Sequence, residues 1–262
     1  MKAAALKRAA ASLADAWQVG TPLPALPPEF CPKTAKDGMQ VQDALVAELG
    51  VAVGGWKIGC TSEYAQKLLK TKGPFPGRIL APRIFASGIT LAGSAYRMRG
   101  LEGEFAFVLG KDLKPRKRPY SRNEVRDAVA ELRPAIELVD SRFEDWMAVS
   151  TPCLIADMGC NAALVVGAPV KRWKTMDLTK AAVRMKVDGK VVGKGRGADA
   201  LGDPLLALAW LANELRTREG LKAGQVISTG TCTGFYKAEQ AAKVEADFGK
   251  LGKVRFTMIK VG

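Results

Sequence analysis

Glu102 and Glu104 sit two residues apart in the run Leu101-Glu102-Gly103-Glu104-Phe105-Ala106-Phe107-Val108-Leu109-Gly110. In an extended strand alternate residues share a face. The two carboxylates then point the same way, about 7 Å apart at a strand rise of about 3.3 Å per residue. Ala106 and Val108 continue their face, and Phe105, Phe107 and Leu109 form the other. A strand apolar on both faces is covered on both sides. Two unpaired carboxylates there would repel each other and cost on the order of several kcal/mol to desolvate. A bound cation removes that cost. A solvated strand end is the competing explanation for an isolated Glu-x-Glu. Glu137 repeats the anomaly as the only charge within the apolar run Ala135–Val139. Its competing explanation is a structural salt bridge to one of the 40 Lys and Arg residues. Three carboxylates on two buried strands make an all-oxygen site, which favours Mg²⁺ or Mn²⁺ over zinc.

One lysine lies in a similarly unlikely place. Lys57 is flanked by Val53, Gly54, Gly55, Trp56, Ile58 and Gly59, with no acid nearby in sequence. Glycines on both sides permit close approach of a ligand or another backbone. Lys57 either snorkels to water or, beside a metal-bound acid, serves as proton donor or electrostatic clamp. The chain contains no histidine. That excludes Ser-His and Cys-His machinery and removes the usual general base.

The bulk composition is that of a globular protein. With 262 residues, 48% of them hydrophobic, the chain can bury one large core, with or without a smaller appendage. Five cysteines without a C-x-x-C spacing suggest neither a disulfide framework nor a zinc knuckle, and fit a reducing cytoplasm. Leu6, Ala9, Leu13, Ala16 and Trp17 recur at helical spacing, so the N-terminus reads as an amphipathic helix rather than a signal peptide. No apolar run reaches the length of a membrane span. The net charge of +14 raises nucleic-acid binding. No RNA-recognition aromatic motif, Cys/His finger or helix-turn-helix accompanies it, so no nucleic-acid partner is expected. The densest basic run, Lys111–Arg118, reads as a solvated hairpin loop. The positive field can also steer small anions. Gly193-Lys194-Gly195-Arg196-Gly197-Ala198 follows a hairpin and does not open a helix, so it reads as a flexible loop beside the site and not as a dinucleotide motif.

Residues 1–73 are expected to be mostly helical. Gln40–Leu49 ends at Gly50, and Thr61 and Ser62 cap a helix to about Lys70. Residues 74–262 carry the strands, expected at Glu102–Leu109, Pro134–Asp140, Leu164–Val166, Ala182–Val187, Val191–Val192, Val226–Thr229 and Val254–Ile259. Asp188-Gly189 signals a hairpin. Helices are expected over about Arg122–Leu132 and Pro204–Arg216, and Ser141 with Glu144 suggests a capping box opening another. The strands do not alternate regularly with helices, which argues for a mixed or antiparallel β core.

Six segments, in order, resemble the fumarylacetoacetate hydrolase-like superfamily, in its 2-keto-4-pentenoate hydratase and 4-oxalocrotonate decarboxylase branch. They are Gly55-Trp56-Lys57-Ile58-Gly59, Glu102-Gly103-Glu104-Phe105-Ala106-Phe107, Ala135–Arg142, Ile155–Gly167, Gly202-Asp203-Pro204-Leu205 with Ala209-Trp210-Leu211-Ala212, and Leu221–Ile227 with Thr229-Gly230. The chain departs from the family pattern at Phe75, Met158 and Asp203. The resemblance implies an α+β fold, with a mostly helical N-terminal part and a mixed β-sandwich-like roll. It implies Mg²⁺ or Mn²⁺ on Glu102, Glu104 and Glu137, and catalysis by Lys57 and Asp157. Arg142, Thr229 and Gly230 would bind a small anionic 2-oxo acid. The implied activity is hydration of a 2-hydroxy-2,4-dienoate in aromatic meta-cleavage catabolism. The alternative is decarboxylation of a 2-oxo-enedioate. Hydrolysis of an acylpyruvate fits less well, because those relatives position water with a His–Glu pair. A cytoplasmic homo-oligomer, with or without a partner enzyme of the same pathway, is the implied assembly.

Overall fold

The computed structural model describes residues 1–261. The chain runs α1 (Ala3–Val19), α2 (Ala35–Leu49), β1 (Val53–Gly59), α3 (Glu63–Leu68), β2 (Phe75–Leu80), β3 (Ile84–Ala86), β4 (Thr90–Ala92) and β5 (Gly100–Leu109). It continues through α4 (Arg122–Ala128), β6 (Val129–Val139), α5 (Thr151–Ala156), β7 (Asn161–Val166), β8 (Ala182–Val187), β9 (Lys190–Arg196) and α6 (Pro204–Leu215). It closes with β10 (Val226–Thr231), β11 (Tyr236–Lys237), β12 (Ala242–Asp247) and β13 (Lys253–Ile259).

Two mixed sheets share one core. The larger has the order β2-β1-β10-β5-β6-β7-β3, with β11 on β5, and the smaller has the order β4-β13-β12-β8-β9. Phe105 of β5 meets Phe248 edge-on, ring centroids 5.2 Å apart, where the two sheets face each other. Val183, Met185, Val244, Val254 and Phe256 from the smaller sheet fill the same core. Strict alternation builds β12: Ala242, Val244 and Ala246 are buried, while Lys243 is exposed and Glu245 and Asp247 are half-buried. The α+β reading holds, with strands dominating.

A second apolar cluster joins α1, α2 and α5 through Leu13, Val41, Leu45, Cys153 and Ala156. The capping box of Thr34 and Asp37 opens α2, and Gly50 in the left-handed region ends it. Ser62 caps α3 by accepting from the Ala65 N–H. Asp203 caps α6, with Pro204 in its first turn. β1, inside the first 73 residues, is paired on both sides in the larger sheet.

Four local expectations need correction. The helix expected over Arg122–Leu132 stops at Ala128, and Val129 already opens β6, paired with Leu109. Ser141 and Glu144 form no capping box. Their segment is drawn to Leu23, whose N–H donates to the Arg142 carbonyl and whose carbonyl accepts from the Glu144 N–H. Lys111–Arg118 is a loop but not a hairpin loop, because it leads from β5 into α4. Gly193–Arg196 is not a flexible loop; it lies in β9, paired with β8 around the Asp188-Gly189 turn.

The glycines of β9 explain that last difference. A Cβ on Gly195 would lie 1.8 Å from the Cys232 carbonyl oxygen, so only glycine lets β9 pack on the chain following β10. Gly195→Ala should therefore destabilise the fold by about 2 kcal/mol or more, the range for forced overpacking against backbone. Urea unfolding measures this, and a loss under about 0.5 kcal/mol would show that β9 gives way as a loop would.

Candidate metal centre and active site

β5 and β6 are antiparallel neighbours, in a register that sets Glu102 directly opposite Glu137 and Glu104 opposite Ala135. Like charges directly opposite each other across a ladder are destabilising. The strands nevertheless bring Glu102, Glu104 and Glu137 together, with one carboxylate oxygen from each lying within 4.8 Å of the others. Glu104 and Glu137 are fully buried, and Glu102 is partly exposed.

Neighbouring strands aim these carboxylates. Ser228 Oγ of β10 and the Gly230 N–H donate to Glu104 Oε2 at 2.6 and 2.9 Å. Asn161 Nδ2, at the start of β7, donates to Glu137 Oε1 at 2.9 Å. Lys57 Nζ reaches from β1 to the same Oε1 at 3.3 Å. One oxygen of each buried carboxylate, Glu104 Oε1 and Glu137 Oε2, has no protein partner. A buried carboxylate oxygen without a donor is costly. Two of them beside a third carboxylate fit a hard divalent cation with oxygen ligands.

The electrostatics agree. Burial, reinforced by Glu137 and Glu102, pushes the Glu104 carboxyl well above its usual range. Burial lifts Glu102 to about 7, with Lys57 acting against it and Glu137 with it. For Lys57, burial disfavours the charge, but the three glutamates outweigh it and hold the ammonium protonated above its ordinary pKa. Three carboxylates and one ammonium leave a net negative site once all are ionised.

The second partner of Lys57 comes from an unusual turn. Met158, Gly159 and Cys160 all have positive φ, at 51°, 64° and 61°. This left-handed turn presents the Gly159 carbonyl to Lys57 Nζ at 3.0 Å. Its anchor is Asp157, which pairs with Arg142 Nε and accepts from Ser141 Oγ at 2.8 Å and the Arg142 N–H at 3.0 Å. Burial raises the Asp157 carboxyl, against the pull of Arg142.

A cavity of about 170 Å³ opens beside the cluster. Lys57, Glu102, Gly159 and Thr231 line its inner end. Thus Lys57 and the three glutamates come together at one place. Asp157 and Arg142 are engaged with each other and do not line this cavity. Thr229 is buried, its Oγ1 donating to the Phe105 carbonyl at 2.9 Å, and Gly230 holds Glu104. Ser228 and Asn161, the side chains that orient the buried glutamates, were not among the expected site residues. Their signal was a polar residue inside an apolar strand, Ser228 after Val226-Ile227 and Asn161 before Ala162-Ala163-Leu164.

Residues 77–259 match the fumarylacetoacetate (FAA) hydrolase C-terminal family. The chain belongs to that family. Among its relatives, a 2-keto-4-pentenoate hydratase of Burkholderia vietnamiensis is 34% identical over 219 residues, covering 83% of this chain and 82% of the relative. A 2-hydroxyhexa-2,4-dienoate hydratase of Comamonas testosteroni is 34% identical over 213 residues, covering 79% and 80%. The fold superposes on 4-oxalocrotonate decarboxylase from Pseudomonas putida G7, complexed with magnesium and adipate. The TM-score is 0.91 at 24% identity, over 99% of both chains. Among the described residues no helix is long and apolar enough to cross a membrane.

Replacing one ligand tests the metal reading. Glu104→Gln removes a charge from a mutually repelling cluster, so metal-free stability should hold or rise. Millimolar Mg²⁺ should raise the melting temperature of the wild type and leave that of the variant nearly unchanged. A large loss of metal-free stability would instead mark Glu104 as a structural partner of Ser228 and Gly230.

Proposed function

We propose that this protein is a metal-dependent hydratase that adds water to a 2-hydroxy-2,4-dienoate, with Mg²⁺ or Mn²⁺ as the cation. The observation that carries this reading is the convergence of three carboxylates and one ammonium at the inner end of an apolar cavity. Hydratase relatives at 34% identity over most of the chain support it.

Glu102, Glu104 and Glu137 would hold the cation, which would supply Lewis-acid polarisation of a bound 2-oxo acid. Ser228, Gly230 and Asn161 keep the carboxylates aimed. Without the cation the three glutamates hold Lys57 protonated, and beside a bound substrate it would serve as hydrogen-bond donor and electrostatic clamp. It stabilises negative charge on the 2-oxygen as the dienol loses its hydroxyl proton. The hydroxyl proton passes to solvent and one returns at C5; water then adds across C3 and C4, its hydroxyl to C4 and its proton to C3, giving a 4-hydroxy-2-oxo acid with a net gain of one water. Asp157 is the second expected proton-transfer group. It would have to release Arg142 and Ser141 to act, so we assign it to positioning the Gly159 carbonyl under Lys57. Arg142 shares that role, holding the Asp157 and Asn161 carbonyls at 2.8 and 3.1 Å. The substrate carboxylate and 2-oxygen would then lie near Thr231 and Lys57 rather than on Arg142 or Thr229. Decarboxylation of a 2-oxo-enedioate would arrive at the same dienolate, through loss of CO₂.

Lys57→Met should cut turnover by about two to three orders of magnitude, the usual effect of losing one preorganised donor. Mg²⁺ affinity should hold or tighten, because a neighbouring positive charge is removed. Metal-dependent decay of dienoate absorbance, measured beside calorimetric Mg²⁺ titration, checks both. Near-normal turnover would reduce Lys57 to a structural ion-pair partner.

A further inference from the structure

The outer half of the cavity differs in chemistry from its inner end. Tyr64, Leu68, Leu69, Trp146 and Phe235 line it. Trp146 and Phe235 pair at its mouth with ring centroids 6.3 Å apart. Tyr64, Leu68 and Phe235 are large apolar side chains left 76%, 44% and 45% exposed at the rim. Among the described residues lining the cavity, Lys57 is the only Lys or Arg, and Glu102 is the only acid. Lys33, Lys70 and Lys72 line a neighbouring groove, on the far side of Leu69 and Phe75.

Lys57 is already engaged by Glu137 and Gly159 at the inner end. A substrate held there by its carboxylate and 2-oxygen must send its tail outward along the apolar wall. A second carboxylate on that tail would lose its water with no cation to meet it, which is strongly unfavourable. A hydrocarbon tail would instead cover side chains that are otherwise exposed.

We propose that this cavity selects mono-acids whose dienoate carries a hydrocarbon extension beyond C5, and rejects dicarboxylates. Tyr64, Leu68, Trp146 and Phe235 are the specificity-determining residues. The proposal rests on the hydratase reading for the orientation of the substrate and adds the chemistry of its tail. It bears on the choice between the two activities that share the inner site, because the 2-oxo-enedioate of the decarboxylase alternative is a dicarboxylate.

The decisive pair is 2-hydroxyhexa-2,4-dienoate against 2-hydroxyhexa-2,4-dienedioate, which differ only in a terminal methyl or carboxylate. With Mg²⁺-loaded wild type, kcat/KM should favour the methyl compound by about 100-fold or more. It should also rise about fourfold per added methylene from the five-carbon to the seven-carbon mono-acid. Leu68→Arg, at the exposed rim, places a cation beside the tail without disturbing the core. It should shrink the methyl preference by about tenfold while leaving Mg²⁺ affinity unchanged. Comparable rates on the two six-carbon acids, a fall in rate with chain length, or an unaltered preference in Leu68→Arg would each overturn the proposal and leave the hydratase reading intact. Calorimetry with Mg²⁺ and the unreactive 2-oxohexanoate and 2-oxoadipate separates the two claims. If no dienoate is hydrated, the hydratase reading falls. The tail proposal then stands if 2-oxohexanoate binds at least about tenfold tighter, and falls if it does not.

Discussion

Glu102 and Glu137 face each other across adjacent strands, with Glu104 one pleat along, and the protein holds all three where carboxylates least favour being held. Four polar groups of the larger sheet answer that repulsion. β1 supplies the ammonium, β10 a hydroxyl and a backbone N–H, and β7 an amide. The strand order β1-β10-β5-β6-β7 puts each donor within reach of the two central strands. Two oxygens remain unpartnered, and the proposed cation would meet them. The sheet is thus organised around a charge imbalance that protein groups alone leave unresolved.

A second network acts at one remove. Arg142, Asp157 and Ser141 form a closed, buried set of charge-assisted bonds that leaves no carboxylate oxygen free for other work. Its product is the left-handed turn Met158–Cys160, which carries the Gly159 carbonyl to Lys57. Such backbone persists only where its surroundings over-determine it. On the proposed reading, a residue of the family's signature acts by fixing the shape of its neighbour.

The charged members of the site were legible in the sequence because a charge inside an apolar run is visible without a structure. Glu102, Glu104, Glu137 and Lys57 were all of this kind. Ser228 and Asn161 were not, since uncharged polar residues occur in strands for many reasons. Register was also invisible: nothing in the sequence says that Glu102 faces Glu137 rather than Leu138. The overlong helix after Arg122 has a definite cause. Val125, Ala128, Val129 and Leu132 fall at i, i+3, i+4 and i+7, and the same residues serve a short helix followed by a strand. β12 escaped notice because Ala242, Lys243, Glu245, Ala246 and Asp247 carry little strand propensity and Val244 alone favours a strand, although the segment alternates strictly. Most strands and the α+β class could be read, because Asp188-Gly189, the apolar runs and the helix stops are local signals. Long-range pairing decides the rest.

The helical layer of α1, α2 and α5 has its own apolar cluster, apart from the core between the sheets. It meets the active site through α5, which runs directly into Asp157 and the turn beneath Lys57. Units with separate cores can open at lower free energy than the whole molecule. Loosening this layer would withdraw the Gly159 carbonyl while the glutamates stayed in their sheet. On mild heating the protein would then lose turnover while still holding its cation, so inactivation and metal release would be separate events with separate temperatures.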